Sequence, residues 1–152
     1  MAEPSPFRYA HADDSAGFLL WKITALWQRK LNAVLGEFGI TQTQYAILAS
    51  LRWFEEKQTP PTQSHIVEHA KIEKMTVSKA VRKLEAAGIV RRQRLPSDYR
   101  ATTVRFTIKG RKIIQNAIKA VENADEDFFS CLSEPQMDTY KSLTMAVIAD
   151  HR

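Results

Sequence analysis

Side chains suited to nucleic acid recur along one predicted helix, which runs from about Glu73 to Ala87. Four apolar residues at helical spacing predict its buried side: Val77, Ala80, Val81 and Leu84. The other positions carry cations and hydroxyls that face outward: Lys74, Thr76, Ser78, Lys79, Arg82 and Lys83. Such groups contact phosphate oxygens and base edges in DNA. The pattern predicts a DNA-contacting face, with an ordinary solvated helix face as the alternative.

A polar loop between two predicted strands places an acid close to an arginine. Asp98 stands two residues before Arg100, so its carboxylate can hold the guanidinium in one orientation. An oriented arginine at the tip of such a hairpin fits the narrow, electronegative minor groove. The alternative is a surface turn with a weak local ion pair. Arginines at the base of the hairpin are expected to meet phosphates: Arg91, Arg92 and Arg94.

Positive charge is concentrated in the segment that holds this helix and hairpin. The whole chain carries a net charge of +5, whereas residues 62–106 contain ten basic and four acidic residues, a net charge of +6. A positive field confined to one segment favours a polyanionic partner. Double-stranded DNA is the partner that we predict.

The composition excludes several other classes of protein. Hydrophobic residues make up 44% and charged residues 26% of the chain, as in a globular domain. No apolar run approaches the roughly 18 residues of a membrane span. Residues 1–13 lack the basic and apolar regions of a secretory signal. We therefore expect a cytoplasmic location and no association with a membrane.

The sequence His65-Ile66-Val67-Glu68-His69 spells H-x-x-E-H, which is a signature of inverted zinc peptidases. A catalytic zinc would need a third protein ligand and an open cleft, and the helix that carries this motif is short. A regulatory metal site at His65 and His69 is a weaker alternative to two surface histidines. We predict no metal, no cofactor and no enzymatic activity.

A single cysteine, Cys131, excludes an internal disulfide and any zinc site built from several thiolates. The neighbouring acids Glu126 and Asp127 disfavour a reactive thiolate. A structural or incidental thiol is therefore predicted, and a redox sensor is the alternative.

Six helices and one hairpin are needed to position these groups. The first helix begins after Asp13, Asp14 or Ser15 and ends near Gly36 or Gly39. The second runs from Thr41 to Phe54, with Thr41 and Gln44 spaced as a capping box and Tyr45, Leu48, Leu51 and Trp53 supplying bulk. Thr62 caps a short helix that ends near His69, and Gly88 ends the basic helix.

The hairpin and the last two helices complete this prediction. Two short strands, Ile89-Val90 and Thr103 to Thr107, flank a loop over residues 95–102. After Gly110, a three-four apolar pattern resembles a coiled-coil seam: Ile114, Ala117, Val121, Ala124 and Phe128. Ser133 and Gln136 form another capping box before a final helix. The terminal helices have more apolar surface than the basic lobe can cover, so pairing with a second copy is expected.

Three stretches resemble the MarR family of bacterial transcription regulators: GFLLWKITALWQRKLNAVLGEFG, GITQTQYAILASL and SKAVRKLEAAGIVRRQRLPSDYRATTVRFTIKG. The last of these includes the family's Asp-x-Arg hairpin motif and the threonine and glycine that open the next helix. Leu95 stands where family members often carry an additional acid.

The resemblance implies a mainly α fold with a small β-hairpin wing, in one domain over residues 1–152. A winged helix-turn-helix lobe occupies residues 41–107, and residues 13–39 and 108–152 form a helical dimerisation region. The implied function is that of a homodimeric repressor that binds a pseudo-palindromic operator.

The resemblance also implies a cleft in which a small aromatic acid or phenol acts as an effector and weakens operator binding. Candidate residues for this cleft supply aromatic walls and one cation: Phe18, Trp21, Lys22 and Trp53. The alternative is that these aromatic residues belong to the core or the dimer interface. For the whole protein, the alternative function is that of a winged-helix adaptor that binds protein and has no operator.

Overall fold

The computed structural model describes residues 2–57 and 60–152, apart from the side chains of residues 98–100. A short 3-10 turn, Ala12–Asp14, precedes the first of six helices. The helices are α1 (Ala16–Gly36), α2 (Gln42–Glu55), α3 (Gln63–Ala70), α4 (Lys74–Ala86), α5 (Ile108–Phe128) and α6 (Glu134–Asp150). Between α4 and α5, the strands β1 (Val90–Leu95) and β2 (Asp98–Phe106) form an antiparallel hairpin. The predicted fold class is confirmed.

Side chains cap the helix starts where the sequence predicts them. Ser15 Oγ accepts a hydrogen bond from the backbone N–H of Phe18 at 3.3 Å, which places the start of α1 at the last of the three candidate caps. The capping boxes of α2 and α6 are both present, as predicted. Gly88 follows α4 with a φ of 74°, so the left-handed end predicted there is confirmed.

One buried cluster lies at the centre of the lobe. The apolar side of α4 lies entirely within it, as predicted, together with Leu48 and Leu51 of α2 and Ile66 of α3. Ile47, which the sequence analysis did not assign to the core, is also completely buried. Trp53 is 45% exposed, so the prediction that it adds bulk to the core is wrong.

The hairpin is longer than the sequence predicts. Its strands pair from Val90 opposite Phe106 to Leu95 opposite Asp98, so only residues 96 and 97 turn the chain. The predicted loop over residues 95–102 is wrong because polar residues continue the strand pairing beyond the apolar ones. The backbone N–H of Val104 also donates to Pro61 O at 3.0 Å, so the segment before α3 lies along β2.

The start of α5 is joined tightly to the end of α4. Thr107 Oγ1 donates to Gly88 O at 2.6 Å and accepts from the backbone N–H of Gly110 at 3.0 Å. A Cβ on Gly110 would lie 1.9 Å from Ile89 O, so only glycine allows this approach. The helix therefore begins at Ile108, directly after Thr107, whose side chain caps it.

The terminal helices differ in how much of their apolar surface is covered. The seam of α5 packs within the chain, where Ile114, Ala117 and Ala124 are buried and the Trp27 ring of α1 meets Phe128 edge to face. By contrast, α6 has no buried residue, and Leu143 is 63% exposed. Within the described residues, no helix is both long enough and apolar enough to cross a membrane.

Candidate nucleic-acid interface

The outward face of α4 carries the cations that the sequence singled out. Lys74, Thr76, Lys79, Arg82 and Lys83 are exposed, and Ser78 is half-buried. The opposite face is held in the core by four buried apolar residues, which fixes the direction in which the cations project. Among the described carboxylates, none forms an ion pair with these lysines or with Arg82. The face is therefore positively charged and open.

Two further cations lie side by side at the base of the hairpin. Arg91 of β1 stands opposite Arg105 of β2, and both are exposed. Like charges in directly opposed strand positions repel, so this pair adds positive potential without stabilising the hairpin. Arg94 is also exposed and stands opposite Thr102.

Arg92 has a different environment from the other hairpin arginines. Its Nε and Nη2 donate to Glu85 Oε1 at 3.1 and 2.9 Å, and its backbone N–H donates to Glu85 Oε2 at 3.1 Å. The side-chain hydrogen bonds from Arg92 hold the pKa of the Glu85 carboxyl below its ordinary value. In this structure, the Arg92 guanidinium that was expected to meet phosphate is directed at the protein.

Strand alternation in the sequence separates Arg92 from Arg91 and Arg105, which lie on the opposite face of the hairpin, but not from Arg94. Arg92 is two residues after the buried Val90, and it stands opposite the buried Val104. Residues two apart in a strand share a face, so Arg92 lies on the side of the hairpin that packs on the lobe. The expected pair of Asp98 and Arg100 lies outside the described side chains.

A small polar notch, which the sequence analysis missed, lies between α3, α4 and β2. It has a volume of about 160 Å³, and its polar lining comes from Gln63, Ser64, Lys74, Ser78 and Thr102. Gln63 Oε1 is buried there and has no hydrogen-bond partner among the described groups. Only the packing of α3 on α4 and β2 brings these residues together, so no spacing in the sequence predicts the notch.

The two histidines of the H-x-x-E-H motif are engaged within the protein. His65 Nδ1 accepts the backbone N–H of Thr62 at 3.2 Å, so a neutral His65 carries its proton on Nε2. His69 Nδ1 lies 2.9 Å from Ser50 Oγ, and its ring stacks on Trp53 at 4.8 Å. No group of three or more metal-ligating side chains occurs in the described part of the chain. These contacts favour structural roles for both histidines.

The four candidate effector residues do not form one cluster. Lys22 Nζ lies 5.3 Å from the centre of the Phe18 ring and 2.7 Å from Asp13 Oδ1, where it forms an ion pair. Trp21 is 75% exposed and lines a separate cavity on α1. Trp53 has its contacts on α2 and α3.

A cavity of about 530 Å³ lies beside Phe18, and Phe7 and Tyr9 of the N-terminal segment also line it. These two aromatic residues lie outside any periodic element, so the sequence pattern gives no signal for them.

The two strands and helices α2 to α4 form a winged helix-turn-helix, and comparisons with known proteins agree with this class. Residues 36–123 match the family model described as "ArnR1-like, winged-helix domain". The uncharacterized HTH-type transcriptional regulator YdcH of Bacillus subtilis is 32% identical over 123 residues, which are 81% of this chain and 84% of that protein. The HTH-type transcriptional repressor Rv2887 of Mycobacterium tuberculosis is 29% identical over 134 residues, 87% of this chain and 93% of that protein.

Solved structures share the fold at lower sequence identity. A mutant MarR from E. coli in complex with operator DNA has a TM-score of 0.76 at 22% identity, covering 86% of this chain and 91% of that chain. BpsR from Bordetella bronchiseptica, whose DNA binding is regulated by 6-hydroxynicotinic acid, has a TM-score of 0.79 at 19% identity. That alignment covers 91% of this chain and 96% of that chain.

The chain belongs to the family of the ArnR1-like winged-helix domain, its relatives are HTH-type transcriptional regulators, and it shares the fold of the MarR structures. Its class is that of a transcriptional regulator and not of an enzyme.

Proposed function

We propose that the protein is a homodimeric repressor that binds a pseudo-palindromic operator in double-stranded DNA and is released by a small aromatic or phenolic ligand. The observation that carries DNA binding is the outward face of α4, where exposed cations project away from a buried apolar side. A helix of this kind enters the major groove, and its side chains contact bases and phosphates there. The proposed DNA-contacting residues on the helix are Lys74, Thr76, Ser78, Lys79, Arg82 and Lys83, and those on the hairpin are Arg94, Asp98 and Arg100.

Dimerisation is supported by apolar surface that one chain leaves uncovered. Leu143, Met145, Val147 and Ile148 of α6 are exposed, as are Leu19, Leu20 and Trp21 of α1. Large exposed apolar residues gathered on two helices mark an interface. A second copy that covers it would place two α4 helices for the two halves of a pseudo-palindrome.

Repression and ligand release are supported by relatives. Rv2887 is named a repressor, and the DNA binding of BpsR is regulated by 6-hydroxynicotinic acid. In this chain we place the effector beside Phe18, because its cavity has an aromatic lining and Lys22 lies against the Phe18 ring. Burial of an aromatic ring is the chemistry that such a cavity provides, and a ligand carboxylate would compete with Asp13 for Lys22.

Fluorescence anisotropy with a duplex from the region upstream of the gene tests the proposal. We expect binding that weakens steeply as the salt concentration rises, since counterions are released from the phosphates. Arg82→Ala should weaken operator binding by about 1 to 3 kcal/mol, the range for a lost groove contact. Arg29→Ala removes the same charge from α1 and is the matched control. Lack of binding to any duplex at low salt would favour the protein-binding adaptor instead.

A further inference from the structure

Glu85 connects the last turn of α4 to the first strand of the hairpin. Both of its carboxylate oxygens are used, one by the Arg92 guanidinium and the other by the Arg92 backbone N–H. The contact therefore fixes the β1 backbone as well as an arginine side chain. A planar guanidinium and a backbone N–H held by one carboxylate leave little freedom of rotation between the two elements.

The backbone that joins these two elements contains a glycine. The chain passes from α4 to β1 through Gly88, which has a φ of 74°. Glycine is the residue with the widest choice of backbone conformations, so the angle between helix and hairpin depends on contacts made on either side of it. Ile89 N–H donates to Leu84 O at 2.9 Å, Thr107 Oγ1 holds Gly88 O from the far end of the hairpin, and the Glu85 contact is the attachment made by the side chain and backbone of β1.

We propose that Glu85 and Arg92 are positioning residues that set the angle of the wing relative to α4, and that Arg92 is not itself a phosphate contact. This inference rests on the proposed function. Specific DNA binding requires α4 and the wing to occupy their grooves together, whereas non-specific binding requires only cations near phosphates. Loss of the contact should therefore lower the preference for the operator and leave the salt dependence of non-specific binding unchanged.

The test compares the operator duplex with a scrambled duplex of the same length, over a series of salt concentrations. Arg94→Ala removes a proposed phosphate contact, so the slope of log K against log salt on the scrambled duplex should fall by about 1. Arg92→Ala should leave that slope as in the parent protein and lower the ratio of operator affinity to scrambled affinity by about fivefold or more.

Arg92→Lys gives a second measurement that keeps the charge. A lysine still reaches phosphate but does not form the two-bond contact with Glu85. We expect the operator preference to fall in Arg92→Lys and to remain in Arg94→Lys. Glu85→Ala combined with Arg92→Ala should lower the preference no further than either substitution alone, because both remove the same contact.

The outcomes separate this inference from the proposed function. If the parent protein does not distinguish the operator from the scrambled duplex, the proposed function fails before any variant is compared. If the parent protein does distinguish them, a salt slope that falls in Arg92→Ala as far as in Arg94→Ala would overturn the positioning role. An operator preference that is unchanged in Arg92→Lys would do the same. Thermal melting of each variant identifies any that does not fold.

Discussion

The winged helix-turn-helix lobe and the last helix bury their apolar residues to opposite extents. In the lobe, Leu48, Ile66, Val81 and Leu84 are completely buried, whereas α6 has no buried residue at all. The lobe therefore has its core within one chain. An apolar helix without a core of its own depends on another surface, which is the physical basis of the proposed dimer.

The largest effect that would test this contrast is disruption of α6. Leu143→Asp together with Val147→Asp places two charges on the proposed interface, where they would be unpaired on burial. Analytical ultracentrifugation should show a single chain of 17.4 kDa in place of a species of twice that mass. Operator affinity should fall by at least about a hundredfold, since two linked half-sites are replaced by one.

Ser142→Asp introduces a charge at an exposed polar position of the same helix and is the control. If the parent protein were a folded monomer at micromolar concentration, this would contradict the proposal that a second copy covers α6.

Replacing one leucine in each region tests the same contrast. Leu84→Ala should lower the free energy of unfolding by about 2 to 5 kcal/mol, because it removes buried methyl groups and leaves a cavity. Leu143→Ala should instead lower the melting temperature by an amount that depends on protein concentration, as expected for a residue at a subunit interface. Thermal melts at several protein concentrations distinguish the two variants. If the melting temperatures of both variants depended on concentration in the same way, Leu143 would not lie at a subunit interface.

Gly110 tests how firmly α5 is attached to the lobe. Gly110→Ala should destabilise the protein by about 1 to 3 kcal/mol, because its Cβ would meet backbone atoms of Ile89 that move only with the chain. Gly17→Ala is the matched control, since the nearest atom to its Cβ would be 4.0 Å away, in ordinary contact. Urea unfolding measures the stability of both variants. If Gly110→Ala were as stable as Gly17→Ala, the backbone at Ile89 would move to accommodate the new Cβ at little cost.

The smallest effect concerns the pH dependence of stability. Arg92 lowers the pKa of Glu85 in the folded chain, so the contribution of Glu85 is fully present above its unfolded pKa. It is lost as the pH falls through the lower, folded pKa. Because this pair is partly exposed, the change should be at most about 1 kcal/mol. Urea unfolding from pH 7 to pH 3 should show this loss of stability in the parent protein. In Glu85→Gln, the part of the pH dependence that comes from Glu85 should be absent.

Much of the fold could be predicted because its signals are local. The capping residues Thr41 and Ser133 and the apolar side of α4 follow from neighbours three or four positions away. The hairpin length could not be predicted in this way. Its extra pairs join mostly polar residues, which have no alternation of apolar side chains to mark them as a strand.

The candidate interface was only partly accessible from the sequence. The outward residues of α4 were selected correctly as exposed or half-buried, since helix periodicity determines the face on which they lie. The polar notch beside Gln63 depends on three elements that meet in space. A pattern in the sequence does not predict a site that is formed by three separate elements.

By itself, the sequence determined which helices form, where they begin and which side of α4 carries its cations, because these depend on interactions between close neighbours. Only the tertiary structure decided that Arg92 is held by Glu85, that Trp53 stacks on His69 and that α5 rather than α6 is covered by its own chain. Those outcomes depend on which surfaces remain available once the elements pack, and packing is a property of the whole chain.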